Sequence, residues 1–212
     1  MDDQRVTVTY YAEPGPQHTE ATLAAARRRA EELGLTRVVV ATDTGKTARA
    51  ARAAFGAPFG VVAVSNPPGV ALPLGKLHDY LPRFREHREA LARQGVVKVP
   101  CSLTADQAAE LQQAGLTVLR VDWKAIQAFT RMDLRSMERI GVGVRVAVCC
   151  ALTAVLAKAV PAGEDVIGLA GTGFGGGGAD TAVVVRTAPA WRDWRVLETI
   201  ARPRESPPSE GG

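Results

Sequence analysis

A hydroxyl-rich segment after a run of valines is the part of the chain best suited to bind an anion. It comprises Thr42, Asp43, Thr44, Gly45, Lys46 and Thr47 and directly follows Val38-Val-Val-Ala41. The valines predict a buried strand and the residues after Lys46 predict a helix, so the segment lies at a helix N-terminus. Free backbone amides, the helix dipole, threonine hydroxyls and the Lys46 ammonium favour an oxyanion there. We therefore predict a phosphate site, with simple helix capping by Thr42 or Thr44 as the alternative.

A glycine-rich turn between two predicted strands is the second candidate anion-binding segment. Its candidate ligand-binding residues are Gly171, Thr172, Gly173, Asp180 and Thr181. Glycine permits a positive φ and a close approach of the backbone to a ligand, although hairpins and flexible turns use glycine as well. Loops at the carboxyl ends of neighbouring strands converge on one crevice in an open α/β sheet. We therefore expect this turn and the segment of residues 42–47 to face a common hollow.

The tripeptide Gly45-Lys46-Thr47 also matches the end of the nucleotide-binding P-loop. That motif needs a glycine five positions before Gly45, and Val40 stands there. A β-branched residue inside a strand does not suit the open loop that surrounds a triphosphate. The sequence therefore disfavours a phosphate-hydrolysing P-loop protein.

An enzyme acting on a phosphorylated substrate, of phosphatase or phosphotransfer type, is the competing interpretation. Its candidate proton-transfer groups are His18, Asp43 and Asp180, but no nucleophile paired with a base can be recognised. The cysteines, Cys101, Cys149 and Cys150, are odd in number and lack metal-ligand spacing. We therefore predict no metal site and leave any catalytic residue unassigned.

The elements that position these loops alternate between short apolar strands and amphipathic helices. This alternation is typical of a mostly parallel sheet covered by helices on both faces. Residues 142–159 fit a strand by their alternating valines and a buried helix by their length, and the length favours the helix. We find no linker that marks a second domain, so we predict a single domain over residues 1–202 and a disordered tail over 203–212.

Composition and charge limit the partners of the chain. Of its 212 residues, 46% are hydrophobic and 5% aromatic, and the formal net charge is only +4. We expect no nucleic-acid partner, no membrane span and a cytoplasmic location. Trp191, Trp194 and Phe129 are candidates for an exposed oligomer interface, with packing in the core as the alternative, so a homo-oligomeric assembly subunit is a third interpretation.

Several motifs resemble the C-terminal, regulatory domain of pyruvate kinase, and more closely the stand-alone archaeal and bacterial proteins built on that domain alone. These motifs are Gly15-Pro-Gln-His-Thr19-Glu-Ala-Thr22-Leu, Thr42-Asp-Thr-Gly-Lys-Thr-Ala48, Gly171-Thr-Gly173 with Ala179-Asp-Thr-Ala182, and Ile200-Ala-Arg-Pro-Arg204. The resemblance implies a three-layer α/β/α sandwich with a mostly parallel five-stranded core sheet and an antiparallel edge strand, the last of the chain. It implies no kinase activity, because pyruvate kinase chemistry resides in a separate β/α barrel.

The resemblance also bears on the ligand. Thr42, Thr44, Gly45, Lys46 and Thr47 match the loop that accepts a phosphate of the sugar-phosphate activator in pyruvate kinases. We therefore predict a domain that binds a small phosphorylated metabolite or nucleotide, with flavin mononucleotide as one candidate because doubly wound folds bind it at a strand-order switch. Further candidates for ligand contact are His18, Thr19 and Asn66.

Overall fold

A seven-stranded sheet forms the centre of the computed structural model, which describes residues 5–77, 79, 81–173 and 178–204. The strands lie in the order β1-β9-β8-β7-β2-β3-β6, and β4 pairs with β5 in a separate antiparallel ribbon. Their bounds are β1 Thr9–Tyr11, β2 Arg37–Ala41, β3 Gly60–Ser65, β4 Ala71–Pro73, β5 Lys98–Pro100, β6 Thr117–Arg120, β7 Asp165–Ala170, β8 Thr181–Arg186 and β9 Arg195–Pro203.

Six α-helices connect these strands in the part of the chain that the structure describes. They are α1 Thr19–Leu33, α2 Lys46–Phe55, α3 Pro82–Arg93, α4 Ala105–Gln113, α5 Trp123–Thr130 and α6 Val142–Leu156. The prediction of a helix rather than a strand after residue 142 is confirmed. Helix α4 begins with a capping box between Thr104 and Gln107, which satisfies two backbone donors at once.

The sheet is mostly parallel, as expected, but its strand number and the place of its antiparallel strand differ from the expectation. It has seven strands rather than five, because β1 and β9 extend it beyond β8. Strand β8 is antiparallel to both β7 and β9 and lies inside the sheet, whereas the last strand, β9, is parallel to β1. Short connections cause this, since β7, β8 and β9 follow one another as hairpins.

Two hydrophobic cores, one on each face of the sheet, confirm the three-layer architecture. Alternate residues of β2 separate them, since Val39 belongs to one core while Val38 and Val40 belong to the other. Helix α6 packs on the Val39 face. Helices α1, α2 and α4 pack on the opposite face through Leu23, Ala48 and Leu111. The sheet is therefore covered on both sides, and the loops at its carboxyl edge remain available for a site.

Helix α6 lies unusually close to strand β8 at Gly143. A methyl group on Gly143 would lie only 2.6 Å from Cβ of Thr181 and closer still to its hydroxyl oxygen. Glycine therefore permits this approach, and the approach sets the height of the first turn of α6 above the sheet.

Replacing Gly143 by alanine should lower the free energy of unfolding by about 1–3 kcal/mol, because the overlap with Thr181 outweighs the better helix propensity of alanine. Chemical denaturation measures the change. Gly75→Ala is the matched control, since a methyl group there would meet no atom within 4 Å and its φ is not positive. Equal stability of both variants would show that the α6 to β8 contact is not tightly packed.

The tryptophans expected at an exposed interface are packed instead against each other. Trp194 is 7% exposed, stacks edge-on with Phe129 and donates its Nε1–H to the carbonyl of Ala188 at 2.8 Å. Trp191 lies beside Trp194 with ring centroids 6.0 Å apart. Trp194 is therefore buried, and the partly buried Trp191 and Phe129 pack against the same core beneath α6, as the core-packing alternative predicts. A homo-oligomer stays a prediction, and these aromatic residues no longer provide an interface for it.

Two boundary predictions concern the ends of the chain. Strand β9 continues through Pro203, which pairs with Tyr11 of β1, so the ordered sheet reaches one residue past the predicted domain end. The remainder of the predicted tail, residues 205–212, lies outside the described residues. In the described ranges no helix combines the length and apolar character needed to cross a bilayer.

Candidate functional site

A cavity of about 250 Å³ opens at the carboxyl edge of the sheet, where strand order reverses between β7 and β2. Loops after β7, β2, β3 and β6 and one face of α6 surround it. Its lining residues in the described part of the chain are Ala41, Thr42, Asp43, Thr44, Thr47, Val64, Ser65, Asn66, Val121, Trp123, Val142, Arg145, Val146, Cys149, Cys150, Gly171, Thr172, Gly173 and Gly178. The two predicted loops therefore do meet at one hollow, which is the usual ligand position of such a fold.

The segment after β2 contributes four of its six residues to the lining: Thr42, Asp43, Thr44 and Thr47. Gly45 is buried behind them, and Lys46 is exposed and does not line the cavity. The predicted phosphate contact of Lys46 therefore gains no support from the geometry. Thr42 does cap the turn, because its hydroxyl oxygen accepts the Gly45 amide at 3.0 Å. A hydroxyl that accepts one hydrogen bond can still donate another.

The N-terminus of α2 borders the cavity and has no side-chain cap. Its N-cap position is Gly45, with a φ of 80° and no side chain to accept a hydrogen bond. The first amides of a helix have no partner inside the helix. Since Thr44 and Thr47 flank this turn and line the cavity, the uncapped amides lie at the edge of the hollow. Their dipoles favour a negative charge.

The loop after β7 is held by the buried carboxylate of Asp180. This carboxylate accepts the Gly15 amide at 2.9 Å, the Thr172 amide at 3.4 Å, the Thr172 hydroxyl, and the Thr181 hydroxyl at 3.0 Å. Asp180 is fully buried and does not line the cavity. Of the glycine-rich turn, residues 174–177 lie outside the described residues. Asp180 thus fixes one wall of the cavity by accepting hydrogen bonds from the amide and the hydroxyl of Thr172.

Burial raises the pKa of Asp180 above its ordinary value, and the hydrogen bonds from Thr172, Thr181 and Gly15 oppose that rise. The raised pKa results from the removal of water around the carboxylate rather than from a second acid nearby. Because Asp180 does not reach the cavity, it is not placed to exchange a proton with a ligand there. Asp43 is the one proton-transfer candidate from the sequence that does line the cavity.

The remaining sequence candidates divide between the cavity and the loop before α1. Asn66 lines the cavity, and its Nδ2 donates to the Cys101 carbonyl at 2.9 Å. His18 and Thr19 do not. His18 stacks on Tyr11 with ring centroids 3.9 Å apart, and the Thr19 hydroxyl donates to the Pro16 carbonyl and accepts the Ala179 amide. Thr19 therefore connects the loop before α1 to the glycine-rich turn at Ala179, whereas His18 packs against β1.

Arg145 lines the cavity but was not among the site residues predicted from the sequence. It is the only charged residue of α6, and its side chain is 15% exposed. Its Nε lies 3.1 Å from Oε1 of Glu138, yet this atom is fully buried and makes no hydrogen bond of good geometry with the described residues. A single arginine within an apolar helix was the available signal, since a buried cation needs a partner.

The thiols on the same face of α6 form an uncharged wall. Burial raises the pKa of Cys149 to about 11, with Arg145 acting in the opposite direction. Burial likewise raises the pKa of Cys150, and the neighbouring Cys149 and Asp43 raise it further. Both cysteines are free, and their raised pKa values favour the uncharged thiols in this wall of the cavity near neutral pH.

Comparison with known proteins identifies one family. The model of the family described as pyruvate kinase, alpha/beta domain, matches residues 20–185. This range contains every lining residue of the cavity. No curated protein matches the chain.

Proposed function

We propose that this chain, which belongs to the pyruvate kinase alpha/beta domain family, binds a small phosphorylated metabolite or nucleotide in the cavity at the carboxyl edge of its sheet. The single observation that carries the proposal is the meeting of the loops after β2 and β7, distant in sequence, around one hollow that Arg145 also lines. The described residues form one open sheet and a two-stranded ribbon, rather than the closed β/α barrel that performs pyruvate kinase chemistry in that enzyme.

The donors around the hollow suit a phosphate. Thr42, Thr44 and Thr47 place three hydroxyls beside the uncapped first turn of α2. Arg145 adds a guanidinium from α6. Hydrogen bonds to a charged group contribute about 1.5–3 kcal/mol each, and association itself costs at least about 4 kcal/mol. A few such contacts give affinities in the micromolar to millimolar range.

The carboxylate of Asp43 sets a condition on the ligand. It lines the same cavity as Arg145 and opposes the binding of a bare anion. A ligand that carries hydroxyl groups as well as a phosphate places donors against this carboxylate. We therefore favour a phosphate ester of a sugar or polyol over inorganic phosphate.

Thr44→Ala is expected to weaken the binding of such an ester about tenfold, because one hydrogen bond to a charged oxygen is lost. Isothermal titration calorimetry with ribose 5-phosphate, fructose 1,6-bisphosphate, adenosine monophosphate and flavin mononucleotide measures the affinities. Thr117→Ala is the matched control, since Thr117 is an exposed threonine at the start of β6, at the other edge of the sheet. If no ester binds, or if both variants bind as the unchanged protein does, the proposal is wrong.

Catalysis on the same ligand remains the second candidate, because Asp43 lines the cavity as a potential proton acceptor. A phosphatase and phosphotransfer screen of the purified protein tests it. Turnover that Asp43→Asn abolishes, while calorimetry shows that the ester still binds, would make the protein an enzyme. Binding without turnover would leave it a binding domain.

A further inference from the structure

Trp123 is a half-exposed aromatic residue at the rim of the cavity. It is the first residue of α5, 46% exposed, and lines the hollow after β6. The other two tryptophans use their indole N–H groups and ring faces in packing. Within the ranges that the structure describes, the Trp123 indole makes no hydrogen bond or ring contact and belongs to neither core. A large ring left exposed beside a cavity suits a partner that stacks on it.

The backbone beneath this ring is fixed. Asp122 caps α5, because its carboxylate accepts the Ala125 amide at 3.0 Å, and the Val121 amide donates to the Ser65 carbonyl at 2.9 Å. Trp123 is therefore held where the loop after β6 meets the loop after β3. A ring on such an anchored turn loses little freedom when a ligand stacks on it.

The position of Trp123 along the sheet edge sets the length that a ligand must have to reach from the phosphate donors to the indole. Strand β6 lies two places from β2, with β3 between them, which separates the two strand ends by roughly 10 Å at about 4.8 Å per strand. The phosphate donors lie at the end of β2 and the indole at the end of β6. Between them, Asn66 after β3 has its Nδ2 fixed by Cys101, which leaves Oδ1 directed elsewhere as an acceptor.

The polarity of the cavity wall changes from the end of β2 to the end of β6. Hydroxyls line the β2 end of the cavity, whereas Val121 and Trp123 follow the end of β6, and Val142 and Val146 add apolar surface from α6. Such an apolar stretch gains little from a sugar phosphate, whose surface consists mostly of hydroxyl and phosphate groups. It does gain from a flat, weakly polar ring, which buries its face against the valines and the indole.

We propose that the ligand is a mononucleotide, whose phosphate lies at the first turn of α2, whose sugar or polyol passes Asp43 and Asn66, and whose planar base stacks on Trp123. This inference rests on the proposed function and narrows it from phosphate esters in general to those that carry an aromatic ring. Nucleoside monophosphates and flavin mononucleotide belong to this class, and hexose phosphates do not.

A comparison of ligand fragments tests the inference. Calorimetry with adenosine monophosphate, flavin mononucleotide, adenosine and ribose 5-phosphate separates the base from the phosphate. Stacking on an aromatic side chain contributes about 5-fold to 150-fold in affinity. We expect at least one mononucleotide to bind more tightly than ribose 5-phosphate by a factor in that range. Trp123→Ala should remove this advantage while the affinity for ribose 5-phosphate stays unchanged, and Trp123→Phe should retain most of it.

Tyr10→Ala is the matched control, because Tyr10 is 57% exposed on β1 and does not line the cavity. It should leave every affinity unchanged. If ribose 5-phosphate binds as tightly as every mononucleotide, or if Trp123→Ala weakens both equally, the inference is wrong while the proposed function survives. If Trp123→Ala alters only the mass measured by sedimentation, Trp123 is a contact between copies of the chain and the inference is again wrong. If no ester binds at all, the proposed function fails with it.

Discussion

Asp180→Ala is expected to lower the free energy of unfolding by about 3–5 kcal/mol, the largest stability loss that the structure indicates. The substitution removes the acceptor of the Gly15 amide and of both Thr172 donors, in a place that water does not reach. Leaving one buried donor unsatisfied costs about 1–3 kcal/mol. The loss is expected to be large because the segments that carry Gly15 and Thr172 lose their common acceptor at once.

Urea denaturation followed by circular dichroism measures this loss, and Asp165→Ala is its control. Asp165 begins β7 and pairs with Arg186 at 2.8 Å on the surface, at the opposite edge of the sheet from Asp180. Such a solvent-exposed ion pair contributes little to stability, so Asp165→Ala should lose much less stability than Asp180→Ala. Similar losses in the two variants would mean that Asp180 is not the buried organiser of these loops.

The pH dependence of Asp180→Asn provides an independent test of the same carboxylate. Because the pKa of Asp180 is raised in the folded protein, the folded chain binds a proton more readily than the unfolded chain does. The stability contributed by protonation is complete below the ordinary aspartate pKa of about 3.9 and is lost as the pH rises through the folded pKa. The advantage of the unchanged protein over Asp180→Asn should therefore be larger near about pH 4 than near about pH 7. Comparing the two proteins cancels the other carboxylates, and an advantage that grows toward neutral pH would contradict the raised pKa.

The fold was largely predictable because its elements have strong local signals. The buried strand that ends at Ala41, the helix that begins at Lys46 and the helix after residue 142 were all predicted, and the structure has them. Apolar pattern and segment length are the local signals that identify these elements. The direction of β8 was not predictable in the same way, because a strand carries no local sign of whether its neighbour runs parallel or antiparallel.

For the site, the meeting of the two loops was predictable, but the roles of the single side chains were not. The convergence of the two loops follows from the rule for open α/β sheets and from the alternating pattern of the sequence. The roles of single residues depended on side-chain direction, which the sequence does not contain: Lys46 is exposed, whereas Asp180 turns inward to Gly15 and Thr172. Arg145 and Trp123 were missed because they come from α6 and α5, which no loop motif marks.

Arg145→Gln is expected to weaken the binding of a phosphorylated ligand by about 10-fold to 100-fold. Arg145 is the only guanidinium among the described lining residues, and a charge-assisted hydrogen bond contributes about 1.5–3 kcal/mol. Calorimetry at two salt concentrations measures the loss, which screening should reduce only in part for so buried a cation. Arg186→Gln, a change of an ion-paired arginine at the far edge of the sheet, should leave the affinity unchanged.

Glu138→Gln separates a ligand-binding role of Arg145 from a purely structural one. Glu138 is the partner of Arg145 at 3.1 Å, so its neutralisation leaves the guanidinium without its counter-charge and more attractive to an anion. If Arg145 binds the phosphate, Glu138→Gln should tighten binding while Arg145→Gln weakens it, and both should destabilise the free protein by breaking the same ion pair. If Arg145 serves only to hold Glu138, the two variants will lose stability without any opposite change in affinity. The opposite signs of the two affinity changes are thus the result that a structural role for Arg145 does not produce.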